Sequence, residues 1–500
     1  MKNRFLPPFF SLVIAVVLSI CAVVWLASQT GKNLLTNTDE LNTAERSREM
    51  LLHGYGAVRD NFAISVAKPP LQYWLTGFTL SQFENRELAV RIWPLIYCAL
   101  TVLALGWLAF IVKPERPWLV PLSVALLLTC PLFLFVSALS FLDIGLTFFT
   151  TLAIVFAQLA RRRPMWWMAV AIAAWLGTLQ KIPFVLLVWA IIIFVRWRSE
   201  RSTLRSRWLL ASLISAAVLI ALWPLIQKSI YHVPLREISR FDETIHLIGP
   251  LRLGARPFFE VPWRLITLWP CGLLTLLAPL VLYFATGTKP KAPVAELTAV
   301  SLLTLVFAVI FGFRSVRYVV PVVPCLCLLL ALCLSWLWDK RRPGSRILVV
   351  ALLLISMSGL EITRRILNNL RGQGVILAVS PSLVSRAIMN QRLKDASDQK
   401  LLAEELGVLQ KEGTRIVILG AYKNVLSPHF YLFYGNLRFP VVSCLVDELP
   451  GVPTTGPTMG VCATRDFSVI QQKYAPVRVQ SVRGDFVCWV GPAAEKVQEN

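Results

Sequence analysis

Long apolar runs separated by short polar stretches fill the first 360 residues of the chain. Eleven segments carry the length and apolarity of membrane-crossing helices, several of them short. They fall at 5–27, 88–112, 118–137, 141–160, 165–179, 182–197, 208–227, 263–286, 296–312, 318–338 and 347–360. The loop 28–87, between the first two runs, has its own pattern. Asn37 or Thr38 can cap a helix whose first turn holds Asp39 and Glu40, where free backbone N–H groups and the helix dipole favour negative charge. Leu41, Ala44 and Leu51 share one face, and Gly54 ends the run. So thin an apolar stripe predicts a helix lying along a membrane interface. Pro69 and Pro70, after Lys68, predict a second short interfacial helix over 70–80. Past residue 361 the period changes. Strand patterns at 415–420, 439–444 and 485–490, with an aromatic helix at 428–434, predict a small C-terminal α/β domain over 361–500.

Composition supports a polytopic α-helical membrane protein: of 500 residues, 56% are hydrophobic and only 16% charged. The first run is long and lacks a good cleavage site, so it reads as a retained span. The net charge of +22 raises the question of nucleic acid, which the placement of the charges answers. Lys113 and Arg116, Arg161 to Arg163, Arg196 to Arg207, Lys289 and Lys291, and Lys340 to Arg346 occupy every second loop. Basic residues concentrate in cytoplasmic loops, so the amino terminus is expected inside, and no nucleic-acid partner is implied. Only the short loop with Arg314 and Arg317 runs against the pattern. Basic clusters flank both ends of 165–197, so the chain must turn back near Lys181 and Pro183. Seven of the ten cysteines sit in apolar runs as small buried hydrophobes. Cys444, Cys462 and Cys488 lie in the polar tail, where a pair can oxidise if the tail is exported. No metal-ligand spacing, Walker loop, nucleophile elbow or repeat is present, so no cofactor is implied.

On this topology, Asp39, Glu40, Lys68, Asp143, Lys181, Arg256, Arg314 and Arg317 all gather on the outer face, beside the ends of spans. Ionisable groups at membrane depth are costly and mark sites. Two classes of function use such a rim: an enzyme acting on a lipid-linked anion, and a transporter or flippase of one. Transporters place their charges near the midplane, on broken helices in matching halves of a repeat. A charged rim without a repeat favours the enzyme.

The run Thr38-Asp39-Glu40, then Arg48-Glu49-Met50, Lys68-Pro69-Pro70-Leu71-Gln72-Tyr73-Trp74 and Glu87-Leu88-Ala89-Val90-Arg91 resembles the GT-C class of integral-membrane glycosyltransferases. The likeness continues at Phe141-Leu142-Asp143, Gly177-Thr178-Leu179-Gln180-Lys181, Arg256-Pro257-Phe258-Phe259 and Arg317-Tyr318-Val319-Val320-Pro321. By pattern it is similar to the bacterial aminoarabinose–lipid A transferases and the wider protein-mannosyltransferase-like group. Ala67 stands where the family often carries Glu, and Ile182 where it often carries Gly. The resemblance implies a GT-C-like transmembrane domain over 1–360, with its active site and C-terminal domain outside the bacterial inner membrane. It implies a polyprenyl-phosphate sugar as donor and an envelope glycolipid of the lipid A type, a glycan or a protein as acceptor. Among membrane lipids such an enzyme would invert the anomeric centre.

The residues suit that chemistry. A departing lipid phosphate needs cations to hold it and stabilise its charge, and Lys68, Lys181, Arg256 and Arg317 supply them, with a further hydrogen bond from Tyr318. Asp39 is the family-matched base for a hydroxyl acceptor. Asp143 is a catalytic candidate for holding a cation or a sugar hydroxyl, and Glu40 a supporting residue.

Overall fold

In the computed structural model the described residues are 8–31, 33–66, 68–181, 183–199, 205–234, 266, 269, 271–285, 292–310, 316–340, 343–370, 386–420, 426–452 and 456–491. They form two compact units: Met1–Gly31, Val66–Gln72 and Arg91–Arg364 in one, and Lys32–Ser65, Tyr73–Val90 and Arg365–Asn500 in the other.

The first unit is helical. Along the chain run α1 (Pro8–Thr30), α2 (Thr38–His53), α3 (Leu71–Gln82), α4 (Arg86–Val112), α5 (Leu119–Leu128), α6 (Pro131–Ala138) and α7 (Leu142–Leu159). There follow α8 (Trp166–Gln180), α9 (Phe184–Ser199), α10 (Arg207–Tyr231), α11 (Gly272–Ala285) and α12 (Ala292–Ile310). A 3₁₀ turn (Val316–Val322) then runs into α13 (Val323–Asp339), and α14 covers Pro343–Leu370. Of these, α2 and α3 lie wholly or mainly in the second unit. Every apolar run read from the sequence carries a helix, but not every helix has the length of a full span. Among the described residues six are long and apolar enough to cross a membrane, and seven if α5 and α6, bent by 68° at Pro131, form one span. Proline ends the hydrogen-bond ladder at that bend. Gly359 of α14 lies against it, where an added Cβ would meet the Thr129 carbonyl oxygen.

One end of this unit is tied by a buried ion cluster. Glu296 of α12 accepts from the Arg196 guanidinium at 2.6 and 3.1 Å, from Gln158 at 2.7 Å, and from Arg161. Arg196 also donates to the Ala157 carbonyl at 2.6 Å, and its guanidinium lies 5.0 Å from the Trp167 ring. Two arginines of the basic clusters therefore also neutralise a buried glutamate and join the ends of α7 and α9 to α12.

The second unit is built around a five-stranded mixed sheet. Its strands are β3 (Arg415–Leu419), β4 (Val441–Cys444), β5 (Thr458–Ala463), β6 (Arg478–Arg483) and β7 (Phe486–Val490), in the order β4-β3-β5-β7-β6. A two-residue hairpin, β1 (Arg59–Asp60) with β2 (Ala63–Ile64), precedes them in the chain. The strands expected near 415, 441 and 486 are present, as is the aromatic helix, here α16 (Pro428–Tyr434), which follows α15 (Arg386–Leu409). Two strands of the five-stranded sheet escaped the sequence pattern. Central β5 contains Gly460, whose missing side chain lets the Val417 carbonyl approach, and edge strand β6 is exposed on both sides. Cys444, Cys462 and Cys488 are free and buried. Burial pushes the Cys462 and Cys488 thiols up to about 12, so they are poor thiolates.

Helix α2 begins as its sequence dictates. The Asn37 side chain accepts from the Asp39 N–H at 3.0 Å, and Gly54 takes φ +90° at the C-terminus. The thin apolar stripe predicts an interfacial helix, yet Thr43 to Met50 are all buried. Ion pairs within the unit make that possible. Arg48 chelates Glu45 at 2.7 and 2.8 Å and donates to the Leu437 carbonyl at 2.7 Å. Arg46 pairs with Asp60 at 2.6 Å, and Asp60 also accepts from His429 at 2.7 Å. Glu49 accepts from the Phe62 N–H at 3.0 Å, in a hairpin turn where Asn61 and Phe62 both take positive φ.

Candidate active site

Three separate stretches of the first unit meet at the start of α7. Phe141 stands at the N-cap of α7, and Asp143 lies in the first turn, where the helix dipole favours a carboxylate. Lys181 caps the C-terminus of α8, and Pro183 stops that helix from continuing. The 3₁₀ turn before α13 brings Arg317 and Tyr318.

Lys181 Nζ is 2.7 Å from Asp143 Oδ1, and Arg317 Nε is 3.9 Å from Asp143 Oδ2. Lys181 Nζ also lies 4.4 Å from the centre of the Tyr318 ring. The Arg317 guanidinium sits 5.0 Å from the Phe141 ring and 5.4 Å from that of Tyr318. Aromatic faces stabilise both cations. Lys68, also of this unit, is close enough for its charge to act on Lys181. Such a cluster can hold an anion of phosphate size, because its cations are fixed in place before the ligand arrives.

Of the residues expected at a site, the structure thus assembles Asp143, Lys181, Arg317 and Tyr318, with Lys68 in electrostatic range. The partner of Asp143 is a pair of protein cations, Lys181 foremost. Asp39 and Glu40 belong to the second unit, in the first turn of α2: Asp39 is half-buried and its carbonyl accepts from Thr43 at 3.0 Å, while Glu40 is buried. Arg256 and Arg314 lie outside the described residues. Among the described residues no group of three or more metal-binding side chains gathers.

One layer beneath the charges lies a set of neutral polar groups to which the sequence assigned no role. Buried Gln180 donates to Gln72 at 3.0 Å and to the Leu142 carbonyl at 3.2 Å, and accepts from the Tyr97 hydroxyl at 3.4 Å. A fully buried glutamine in an apolar helix is the signal that points to it.

Two family models match. Residues 67–226 match the dolichyl-phosphate-mannose-protein mannosyltransferase family, and residues 261–406 the Alg9-like mannosyltransferase family. The undecaprenyl phosphate-alpha-4-amino-4-deoxy-L-arabinose arabinosyl transferase of Erwinia tasmaniensis is 28% identical over 198 residues, 38% of this chain. That match spans 35% of the relative's own length. Among solved structures, ArnT from Cupriavidus metallidurans bound to undecaprenyl phosphate superposes with a TM-score of 0.68 and 17% identity, over 96% of this chain and 98% of that one. The Archaeoglobus fulgidus oligosaccharyltransferase in its apo form gives 0.55 and 14%, over 94% and 71%. The chain has the fold of the GT-C integral-membrane glycosyltransferases, and the resemblance read from its sequence is borne out. The families and proteins it matches are glycosyltransferases.

Proposed function

We propose that this protein transfers a sugar from a polyprenyl-phosphate-linked donor to an envelope acceptor at the outer face of the bacterial cytoplasmic membrane. The observation that carries the reading is the convergence of Lys181 and Arg317 on Asp143 at one end of a GT-C helical unit. In this reading Lys181 and Arg317, with Lys68 and Arg256, hold the donor phosphate and take up the charge that develops on it as the glycosidic bond breaks. Tyr318 adds a hydrogen bond, and Asp143 keeps the two cations in place. The departing phosphate needs no general acid. Asp39 removes the proton of an acceptor hydroxyl, or orients an acceptor that is already a phosphate, and the anomeric centre inverts by direct displacement. Undecaprenyl phosphate, the lipid bound by the ArnT structure, is the lipid carrier we assign, with lipid A-type glycolipids, glycans or proteins as acceptors.

About eleven segments cross the membrane in this reading, and residues 28–87 and the C-terminal residues face outward. Cysteines introduced at Ser28 and Ser397 should then react with an impermeant thiol reagent in intact cells. Labelling of both only after lysis would reverse the orientation. The function itself is tested by mass spectrometry of envelope lipids and glycans from cells with the gene, without it, and with Lys181→Ala. One sugar-bearing species should vanish in the last two. An unchanged envelope in the deletion strain, with the gene expressed in the parent, would refute the proposal.

A further inference from the structure

We infer that Gln180 is the positioning residue of the donor-phosphate site, an inference that rests on the function proposed above. Its side chain joins three of the stretches of chain that carry the site's charges, those of Lys68, Asp143 and Lys181. Gln180 immediately precedes Lys181. Its Nε2 donates to Gln72 Oε1, four residues beyond Lys68, and to the carbonyl of Leu142, the residue before Asp143. One amide thus links the backbone registers of Lys68, Asp143 and Lys181.

The surroundings fix which way that amide points. The Leu142 carbonyl can only accept, so the nitrogen of Gln180 must face it, and the oxygen is left for the Tyr97 hydroxyl. Tyr97 is itself held between Phe148 and Phe149, with ring centres 5.9 and 5.8 Å away. The room for the amide comes from Gly145, one turn along α7. A Cβ there would collide with Gln180 Nε2 and stand 2.9 Å from the Tyr97 ring. Any larger residue at 145 would therefore expel the amide from its place.

A glutamine that merely fills space would act alone; one that sets the spacing of charges would act with Gln72. The test uses the full chain in nanodiscs and the binding of undecaprenyl phosphate, with the melting temperature of each ligand-free variant as control. Gln180→Leu keeps the volume and removes every hydrogen bond. It should weaken binding roughly tenfold, as expected for a lost buried hydrogen-bond set, without a matching fall in melting temperature. Gln72→Leu should weaken binding too, and the double variant should be no worse than the weaker-binding single. Gly145→Ala, and Gln180→Glu, which turns a carboxylate oxygen toward the Leu142 carbonyl, should reproduce the loss if Gln180→Leu folds poorly. Lys181→Ala separates the two claims. If Lys181→Ala loses binding while Gln180→Leu, Gln180→Glu and Gly145→Ala stay within twofold of the parent, Gln180 only packs and the site stands. If Lys181→Ala binds like the parent, the site falls and this inference falls with it.

Discussion

Lys181 Nζ stands 2.7 Å from Asp143 Oδ1, with the two side chains 11% and 3% exposed. Removing one partner of a buried pair strands the other charge, a loss of about 3–5 kcal/mol in the general case. Arg317, 3.9 Å from the other carboxylate oxygen, should hold the stability loss of Lys181→Ala below that range. Turnover should fall more clearly, by roughly ten- to several-hundredfold, the worth of one charge-assisted phosphate contact. Adding Asp143→Asn to Lys181→Ala should restore melting temperature without restoring turnover. Recovery of both together would make the pair structural only.

Arg317 lies against two aromatic rings, Phe141 and Tyr318, as a planar cation can. Arg317→Lys keeps the charge and loses the fork and the stacking. Its turnover should fall between that of the parent and that of Arg317→Ala. Parity with the parent would show that only a point charge is needed.

How much of this was legible beforehand differs by element. The start of α2 followed from Asn37, Asp39 and Gly54, because capping is a local property. The pairing of Asp143 with Lys181 could be anticipated only as a shared face, since 38 residues separate them. The burial of α2 was hidden because Arg46, Arg48, Glu45 and Glu49 look like a solvated face until their partners Asp60, Phe62 and Leu437 are known. The dual role of Arg196 was hidden likewise: a basic loop residue gives no sign of a distant Glu296.

That Glu296 cluster allows a stability prediction. Arg196 is fully buried and makes two contacts to the carboxylate, whereas Arg161 is partly exposed. Arg196→Ala should therefore lower the melting temperature more than Arg161→Ala, with a cost nearer the roughly 3–5 kcal/mol of a broken buried pair. Replacing Glu296 with Gln should also destabilise, by leaving two guanidinium groups facing a neutral amide. Thermal unfolding in detergent reads all three, and equal midpoints for the arginine variants would contradict the ranking.

Two carboxyl groups near the hairpin turn give the second unit a pH dependence with opposite limbs. Burial, aided by the neighbouring Glu45 charge, raises the Glu49 carboxyl from 4.5 to about 8. The folded state then holds a proton that the unfolded chain releases. Stability from this group is complete below about 4.5 and is lost as pH rises toward about 8. Burial works to raise Asp60 as well, but the His429 hydrogen bond and the Arg46 charge outweigh it and hold Asp60 well below the usual carboxylate range. Its contribution is present above its ordinary value and is lost as pH falls through the depressed one. Glu49→Gln should flatten the alkaline limb of a melting-temperature profile, and Asp60→Asn the acid limb. An alkaline limb that survives Glu49→Gln would assign it to another group.

Asp39 distinguishes the possible acceptors. Its backbone N–H donates to the Asn37 side chain at 3.0 Å, the bond that caps α2. Asp39→Asn keeps the shape and forfeits the charge at a helix N-terminus, worth about 0.3–1 kcal/mol. A general base contributes about 10²–10⁴-fold to rate, which is far more. If the acceptor is a sugar or protein hydroxyl, Asp39→Asn should nearly abolish transfer while undecaprenyl phosphate still binds. If the acceptor is a lipid phosphate, already ionised at neutral pH, the loss should be mild and only weakly dependent on pH. The wild-type protein and Asp39→Asn, assayed side by side on each acceptor class from pH 5 to 9, separate the two. We expect the large loss, because the charge of a carboxylate at a helix N-terminus is worth far less than the work of a general base. Unchanged turnover on the true acceptor would leave Asp39 as a helix-start residue and nothing more.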